Sequence, residues 1–171
     1  TCPDDESLPI FQHVPAAAGS NDALSKLLDT HPAWSGSLRP TAQKFILVAS
    51  DDESSLSAVN FNALLLTLDP TFHNYIFSGL VGVGSCGSIV NEGTQYRTLI
   101  NMTGGITGNL CDGGFGIGVA MDQLAQLVIE TLGAGTPPNA PPVANAGSDQ
   151  LLIGCTGCFT TVVLDGSGSY D

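Results

Sequence analysis

Within the first 132 residues, continuous apolar runs alternate with segments whose apolar positions recur at helical spacing. Residues Lys44 to Ala49 form such a run, which ends at Ser50-Asp51-Asp52, as is typical of a parallel strand buried on both faces. The spacing predicts a helix from Ser57 to Leu68, stopped by Asp69-Pro70. It also predicts strands at 75–83 and 106–110 and helices at 94–102 and 119–132. This order predicts an α/β fold with a doubly wound, mostly parallel sheet and functional residues at strand C-termini.

Two further segments suggest the domain boundaries. Upstream, Ser20-Asn21-Asp22 is an N-cap signal for a helix through Leu28, which ends near Thr30-His31-Pro32 and has no strand before it. Downstream, residues 133–142 carry closely spaced glycines and prolines that neither a helix nor a central strand tolerates. We therefore predict one domain at 1–132, a linker at 133–142 and a short β segment at 143–171.

Composition narrows the classes of function. The chain has 16 acidic and 4 basic residues and a net charge of −12, which argues against nucleic-acid binding. Only 12% of residues are charged while 43% are hydrophobic, so a core can form and solubility rests on uncharged polar residues. This surface suits an extracellular or cell-surface protein. No apolar run approaches the roughly 20 residues of a membrane helix, so we expect no membrane insertion.

The order of these segments resembles a known family. The segments GSNDALSKLL, LRPTAQKFILVASDDES, FNALLLTLDPTFHNYIFSGLVG and GTQYRTLINMTGGITGNLC resemble the C-terminal two thirds of a von Willebrand factor type A domain of the kind found in large secreted bacterial proteins. Such domains hold Mg²⁺ or Ca²⁺ at the C-terminal edge of the sheet in a metal-ion-dependent adhesion site. The resemblance implies that Ser20 supplies a loop hydroxyl and Asp51 an aspartate ligand, with Asp52 nearby. The alternative is that Asp51, Asp52 and Glu53 form a solvated turn that opens a helix, where carboxylates interact favourably with the helix dipole.

Oxygen ligands of this kind suit a hard cation, and a neutral hydroxyl leaves the ion enough charge to take a carboxylate from a partner. The Asp-x-Ser-x-Ser motif that the family places after its first strand is absent before Ser20. In this family the first strand lies beside the strand that here runs from Phe45 to Ala49, which would otherwise have an open edge. We therefore expect the chain to be a fragment or cleavage product whose missing strand comes from another polypeptide.

The C-terminal segment resembles a second family. PPVANAGSDQ and TTVVLDGSGSYD are similar to the opening strands of a polycystic-kidney-disease (PKD) type immunoglobulin-like domain. About a third of such a domain cannot close a sandwich alone, so its strands must pair with something, of which a neighbouring subunit is one candidate. Asp149, Asp165 and Asp171 could bind calcium in a complete domain, but Asp-Gly-Ser is also ordinary turn chemistry, which we favour.

The five cysteines cannot all pair within the chain. Cys86 and Cys111 lie near predicted strand ends, and a disulfide between them is the leading interpretation in an exported protein, with two buried thiols as the alternative. Cys155 and Cys158 form a C-x-x-C whose strand-like flanks favour a structural disulfide over a redox pair. Cys2 is left over, and a bond to an upstream segment fits it best.

No catalytic motif stands out, and we expect the protein not to be an enzyme. The glycines from Gly82 to Gly87 match G-x-G-x-x-G, but no helix is predicted to begin there, so we treat the match as chance. The sequence predicts an extracellular adhesion module that binds a protein partner through a divalent cation. The alternative is a structural subunit of a filament or surface layer, a homopolymer included, in which neighbouring chains complete each other's sheets.

Overall fold

The computed structural model describes residues 12–133. The chain divides into two compact units, Thr1–Glu130 and Thr131–Asp171, and the described sheet lies in the first. The predictions for the linker beyond Gly133, for the immunoglobulin-like segment, and for Cys2, Cys155, Cys158, Asp149, Asp165 and Asp171 lie outside the described residues.

The centre of the described unit is a parallel sheet of three strands in the order β1-β2-β3. The strands are β1 (Phe45–Ser50), β2 (Ile76–Val81) and β3 (Thr107–Asn109). The helices are α1 (Ala23–Asp29), α2 (His31–Trp34), α3 (Ala58–Leu68), α4 (Thr94–Thr103) and α5 (Gly113–Gly133). This arrangement confirms the predicted α/β class with a parallel sheet flanked by helices, and it is compatible with a Rossmann-like fold.

Local signals explain where the two central helices begin and end. The Ser57 hydroxyl accepts a hydrogen bond from the Asn60 N–H and caps the start of α3, while Pro70 follows its last turn. Helix α4 ends at Gly104, whose φ of 76° lies in the left-handed region that glycine adopts without strain. These are the signals that the sequence displays, so the observed and predicted bounds of α3 and α4 differ by only one residue at one end of each.

One face of the sheet carries the core. Phe77 and Val81 of β2 are fully buried against Phe61 of α3 and Tyr96 and Leu99 of α4. Removing each large apolar side chain from water contributes roughly 1.5–3 kcal/mol to the free energy of folding. The ring of Phe77 lies 6.1 Å from that of Phe61 and stacks 6.5 Å from that of Tyr96, so the two helices are held on the same strand.

Helix α5 covers part of the other face and starts six residues earlier than predicted, at Gly113 instead of Val119. The glycines of its first turns are poor helix formers, which is why the pattern excluded them. A short 3₁₀ turn, Leu110–Asp112, leads directly into α5, and a Cβ at position 116 would lie 2.4 Å from the Asp112 Cβ. Glycine at 116 therefore permits the close turn that starts α5 early.

The predicted end of the upstream helix near Thr30 is confirmed, since α1 ends at Asp29. A separate short helix, α2, which was not predicted, begins at His31 with Pro32 in its first turn. Proline is tolerated there because the first N–H groups of a helix have no partner within it. The short helix places the Trp34 ring 5.8 Å from Phe72, edge to face, and so joins α2 to the core.

In the described part of the chain, β1 pairs with β2 and with no other strand. Leu47 and Ala49 lie on the face shared with α5, and the Leu47 side chain is 46% exposed. Among the described residues, the segment Leu110–Gly133 is long and apolar enough to cross a membrane by length and composition alone, a test that core helices of soluble proteins also pass. Because length and composition alone do not distinguish these cases, the expectation of no membrane insertion stays a prediction.

Candidate functional site

The carboxyl end of β1 forms a polar edge together with two loops. β1 ends at Ser50 and is followed by Asp51, Asp52 and Glu53. The segment before α1 reaches this edge, because the Ser50 hydroxyl lies 3.4 Å from the Ser20 carbonyl. The loop 82–93, which joins β2 to α4, reaches it from the other side. In a parallel sheet this edge is where ligands usually bind, since the loops that follow the strands diverge there.

Asp52 is the most strongly held carboxylate of this edge. Its Oδ1 accepts hydrogen bonds from the Asn91 side-chain amide at 2.7 Å and from the Glu53 N–H at 2.8 Å. Hydrogen bonding holds the pKa of the Asp52 carboxyl below its usual range. The Asn91 bond lowers the pKa most, followed by the Glu53 bond and then by the Ser20 side chain. Asp52 is thus ionised at neutral pH, and Ser20, another residue predicted to bind the cation, is near enough to lower its pKa.

Asp51 differs from its neighbour. Its side chain is exposed, and its backbone carbonyl accepts hydrogen bonds from the Val90 N–H at 2.6 Å and the Asn91 N–H at 3.3 Å. Loop 82–93 therefore fixes the backbone of Asp51 and leaves its carboxylate facing solvent. The structure brings Ser20 to Asp52, and it leaves the side chain of Asp51, the residue before Asp52, exposed.

Glu53 has a structural role that the sequence did not reveal. Its carboxylate accepts hydrogen bonds from the Thr94 N–H at 2.8 Å and the Gln95 N–H at 3.0 Å, at the start of α4. A carboxylate at this position satisfies free N–H groups and interacts favourably with the helix dipole. The Gln95 side-chain oxygen in turn accepts from the Ala58 N–H, at the start of α3. Glu53 therefore links the start of α4, and through Gln95 the start of α3, to the polar edge.

A buried hydroxyl lies just beneath the polar edge. Tyr96 is fully buried, and its hydroxyl has no hydrogen-bond partner among residues 12–133. Burial raises the pKa of this phenol, while the nearby hydroxyls of Ser50 and Ser54 act in the opposite direction. Both serines direct their own hydrogen bonds to the backbone, Ser50 to the Asp52 carbonyl and Ser54 to the Leu56 carbonyl.

A disulfide anchors the loop that contacts both aspartates. Cys86 and Cys111, the pair that the sequence singled out, are bonded, with their Cα atoms 5.7 Å apart. Cys86 lies in loop 82–93 and Cys111 in the 3₁₀ turn after β3. In addition, the Val83 N–H donates to the Asn109 side chain at 3.0 Å. The loop that positions Asp52 through Asn91 is thus fixed to the neighbouring strand end.

The donors of this edge fit a hard cation. Ser20, Asp51 and Asp52 offer one hydroxyl and two carboxylates, which are the ligand types that Mg²⁺ and Ca²⁺ prefer. They do not form a full coordination shell, and within residues 12–133 no group of three His, Cys, Asp or Glu side chains is placed to hold a metal ion. A cation here would take its other ligands from water or from another polypeptide.

The remaining sequence motif has no cofactor geometry. The G-x-G-x-x-G of residues 82–87 follows β2 but leads into the disulfide-bonded loop, and α4 begins only at Thr94. Comparison with protein-family models, with curated proteins and with solved structures finds no match to this chain. The proposed function therefore rests on the site itself.

Proposed function

We propose that the protein is an extracellular binding module that uses Mg²⁺ or Ca²⁺ at the carboxyl end of β1 to bind a protein partner. The observation that supports this proposal is that Asp52, hydrogen-bonded to Asn91 and held near Ser20, is preceded at the same sheet edge by Asp51, whose side chain is exposed. Two carboxylates and a hydroxyl at a loop-built sheet edge give an oxygen-rich site that is open to a macromolecule.

Each residue has a distinct part in the proposed site. Asp51 supplies the direct carboxylate ligand, because its side chain is exposed and its backbone is fixed by loop 82–93. Asp52 and Ser20 supply negative charge and a hydroxyl behind it. When bound, the cation adds a positive centre that takes a carboxylate from the partner. Asn91 orients the Asp52 carboxylate and so keeps the site in one arrangement.

Removal of the Asp51 carboxylate tests the cation site directly. We expect the Asp51→Asn variant to lose Mg²⁺ and Ca²⁺ binding in calorimetry by at least about tenfold, since a direct ligand contributes more than about 1.4 kcal/mol. The matched control is Asp122→Asn, which removes one exposed carboxylate from α5. Equal cation affinity of wild type and Asp51→Asn, or binding to the wild type too weak to detect, would contradict the proposal.

An extracellular location is supported by two features. The Cys86–Cys111 disulfide is of a kind that persists in oxidising compartments. The low charged fraction of 12% fits a surface built on uncharged polar residues. An enzymatic function is not part of the proposal, since the polar edge offers ligands for a cation and a partner but no arrangement of nucleophile and base.

The edge of β1 that no strand within residues 12–133 covers favours a second candidate function, that of a structural subunit in a filament or surface layer. In such an assembly, strands from neighbouring chains complete each other's sheets. Electron microscopy and size-exclusion chromatography of native material separate the two candidates. Regular polymers would support the structural subunit, and discrete soluble particles that bind a partner only with divalent cation would support the adhesion module.

A further inference from the structure

The outer edge of β1 presents hydrogen-bonding groups that no described residue satisfies. The Ile76 N–H donates to the Lys44 carbonyl at 3.0 Å, so Lys44 and every second residue after it direct their backbone groups toward β2. Because the bonding direction alternates along a strand, the N–H and C=O groups of Phe45, Leu47 and Ala49 point away from β2. Three consecutive outward positions are enough to accept another strand.

This edge also lacks the features that natural proteins use to block strand addition. β1 reads FILVAS, without a charge, a proline or a glycine bulge. Exposed edges are usually protected by at least one of these. In addition, Leu47 and Ala49 expose apolar side chains on the α5 face, where a further strand would bury them. The edge is therefore suited to pairing with another strand.

We propose that a second copy of this chain pairs with this edge, through an antiparallel β1–β1 contact about a two-fold axis at Leu47. This inference rests on the second candidate function and names the partner for one contact; because a two-fold contact closes at two copies, growth of a filament or layer from these dimers needs a further contact elsewhere on the chain. With Leu47 opposite Leu47, Phe45 of each copy lies opposite Ala49 of the other. All three outward positions then form hydrogen-bonded pairs, and the two sheets become one.

Charge at the two ends of β1 selects the antiparallel orientation. Before β1, the turn that begins at Arg39 carries an exposed guanidinium that no described residue pairs with, in a chain with only 4 basic residues. After β1 comes the exposed carboxylate of Asp51. Antiparallel pairing about Leu47 sets Asp51 of one copy opposite Gln43 of the other, at the end of the turn that begins at Arg39, so the basic end of each copy faces the acidic end of its partner. Parallel pairing of two copies would bring like charges together.

The dimer also gives the exposed leucines a partner. In a hydrogen-bonded antiparallel pair the Cα atoms of opposed residues lie about 5.5 Å apart, so the two Leu47 side chains meet at the centre of the contact. They would cover each other on the face that α5 leaves open. The same distance makes the proposal testable by cross-linking, because it lies within the range that a disulfide spans.

The first experiment uses cysteine pairs in the full chain under mild oxidation. Leu47→Cys is expected to give a covalent dimer, which peptide mass spectrometry locates as a bond from position 47 to position 47. Phe45→Cys alone is the matched control, since its two copies would lie about 13 Å apart along the seam. A mixture of Phe45→Cys and Ala49→Cys chains is expected to cross-link. Bonds from 45 to 45, or none at 47, would overturn the proposal.

The second experiment measures the oligomeric state without cross-linking. Leu47→Pro removes an outward N–H and leaves the β1–β2 bonds intact, so the dimer dissociation constant in sedimentation velocity should rise at least about tenfold. Leu47→Thr retains the N–H and should remain dimeric. A wild-type chain that stays monomeric at millimolar concentration overturns the proposal. If native material is nevertheless polymeric, the second candidate function stands with another strand donor.

Discussion

Phe77 and Leu47 lie on adjacent strands and on opposite faces of the same sheet. Phe77 is fully buried beneath α4, whereas Leu47 is 46% exposed on the side of α5. The first face is closed by α3 and α4, which are tied to the strand ends through Glu53 and Gln95. On the second face, Ala120 is the sole buried residue of α5. The difference indicates that stability comes from one face and that the other remains available for a partner.

Truncating one side chain on each face tests most directly whether the two faces differ in packing. Phe77→Ala removes a fully buried ring and is expected to lower the free energy of unfolding by about 3–5 kcal/mol. Leu47→Ala should cost less than about 1 kcal/mol in the monomer, since half of its side chain already contacts water. Urea denaturation at low protein concentration measures both. Similar losses for the two variants would show that the α5 face is as well packed as the other.

Removing the disulfide is expected to have the second-largest effect on stability, with the local loss concentrated in α5. Replacing Cys86 and Cys111 together by serine should lower the free energy of unfolding by about 2–4 kcal/mol, because the unfolded chain gains freedom. Hydrogen exchange should show faster exchange in the early turns of α5, which follow Cys111, while α3 and α4 remain protected. If protection falls equally in all three helices, the disulfide acts on the whole unit rather than on one face.

The smallest expected effect concerns the charge of the polar edge. The pKa of Asp52 is lowered chiefly by the Asn91 amide, so Asn91→Ala should raise it towards its ordinary value of 3.8. A carboxyl with a lowered pKa stabilises the fold above its unfolded pKa, and this contribution is lost as the pH falls through the folded pKa. Stability of the wild type should thus decline below about pH 4. Carbon NMR titration measures the pKa itself, with Asn60→Ala as a control on exposed α3.

Local patterns in the sequence predict the central elements but not how distant residues meet. The run from Lys44 to Ala49 and the spacing of α3 carry their own signals, and both elements form close to where they were expected. The role of Glu53 depends on Thr94, 41 residues away in the sequence, and no periodicity links the two. The early start of α5 follows from the turn at Asp112, which overrides the low helix propensity of its glycines.

In the candidate site, too, local features were predicted from the sequence and long-range contacts were not. The family resemblance implied Ser20, Asp51 and Asp52, the position after a buried strand supported the two aspartates, and in the structure both follow β1, with Ser20 near Asp52. Asn91 was not predicted, because loop 82–93 has no secondary structure and its contact with Asp52 spans 39 residues. Which of the two aspartates is engaged and which is exposed depends on that loop, and only the folded arrangement reveals it.

The Cys86–Cys111 bond has a mechanical consequence as well. It joins residues 25 positions apart, and α4 and β3 lie inside the closed ring. When the chain is pulled from its two ends, tension passes through the sulfur atoms and bypasses this ring. About 80 Å of contour length therefore cannot be released by force. Under tension the extensible part of the described unit is therefore α1 to β2 and α5, while α4 and β3 are shielded from extension.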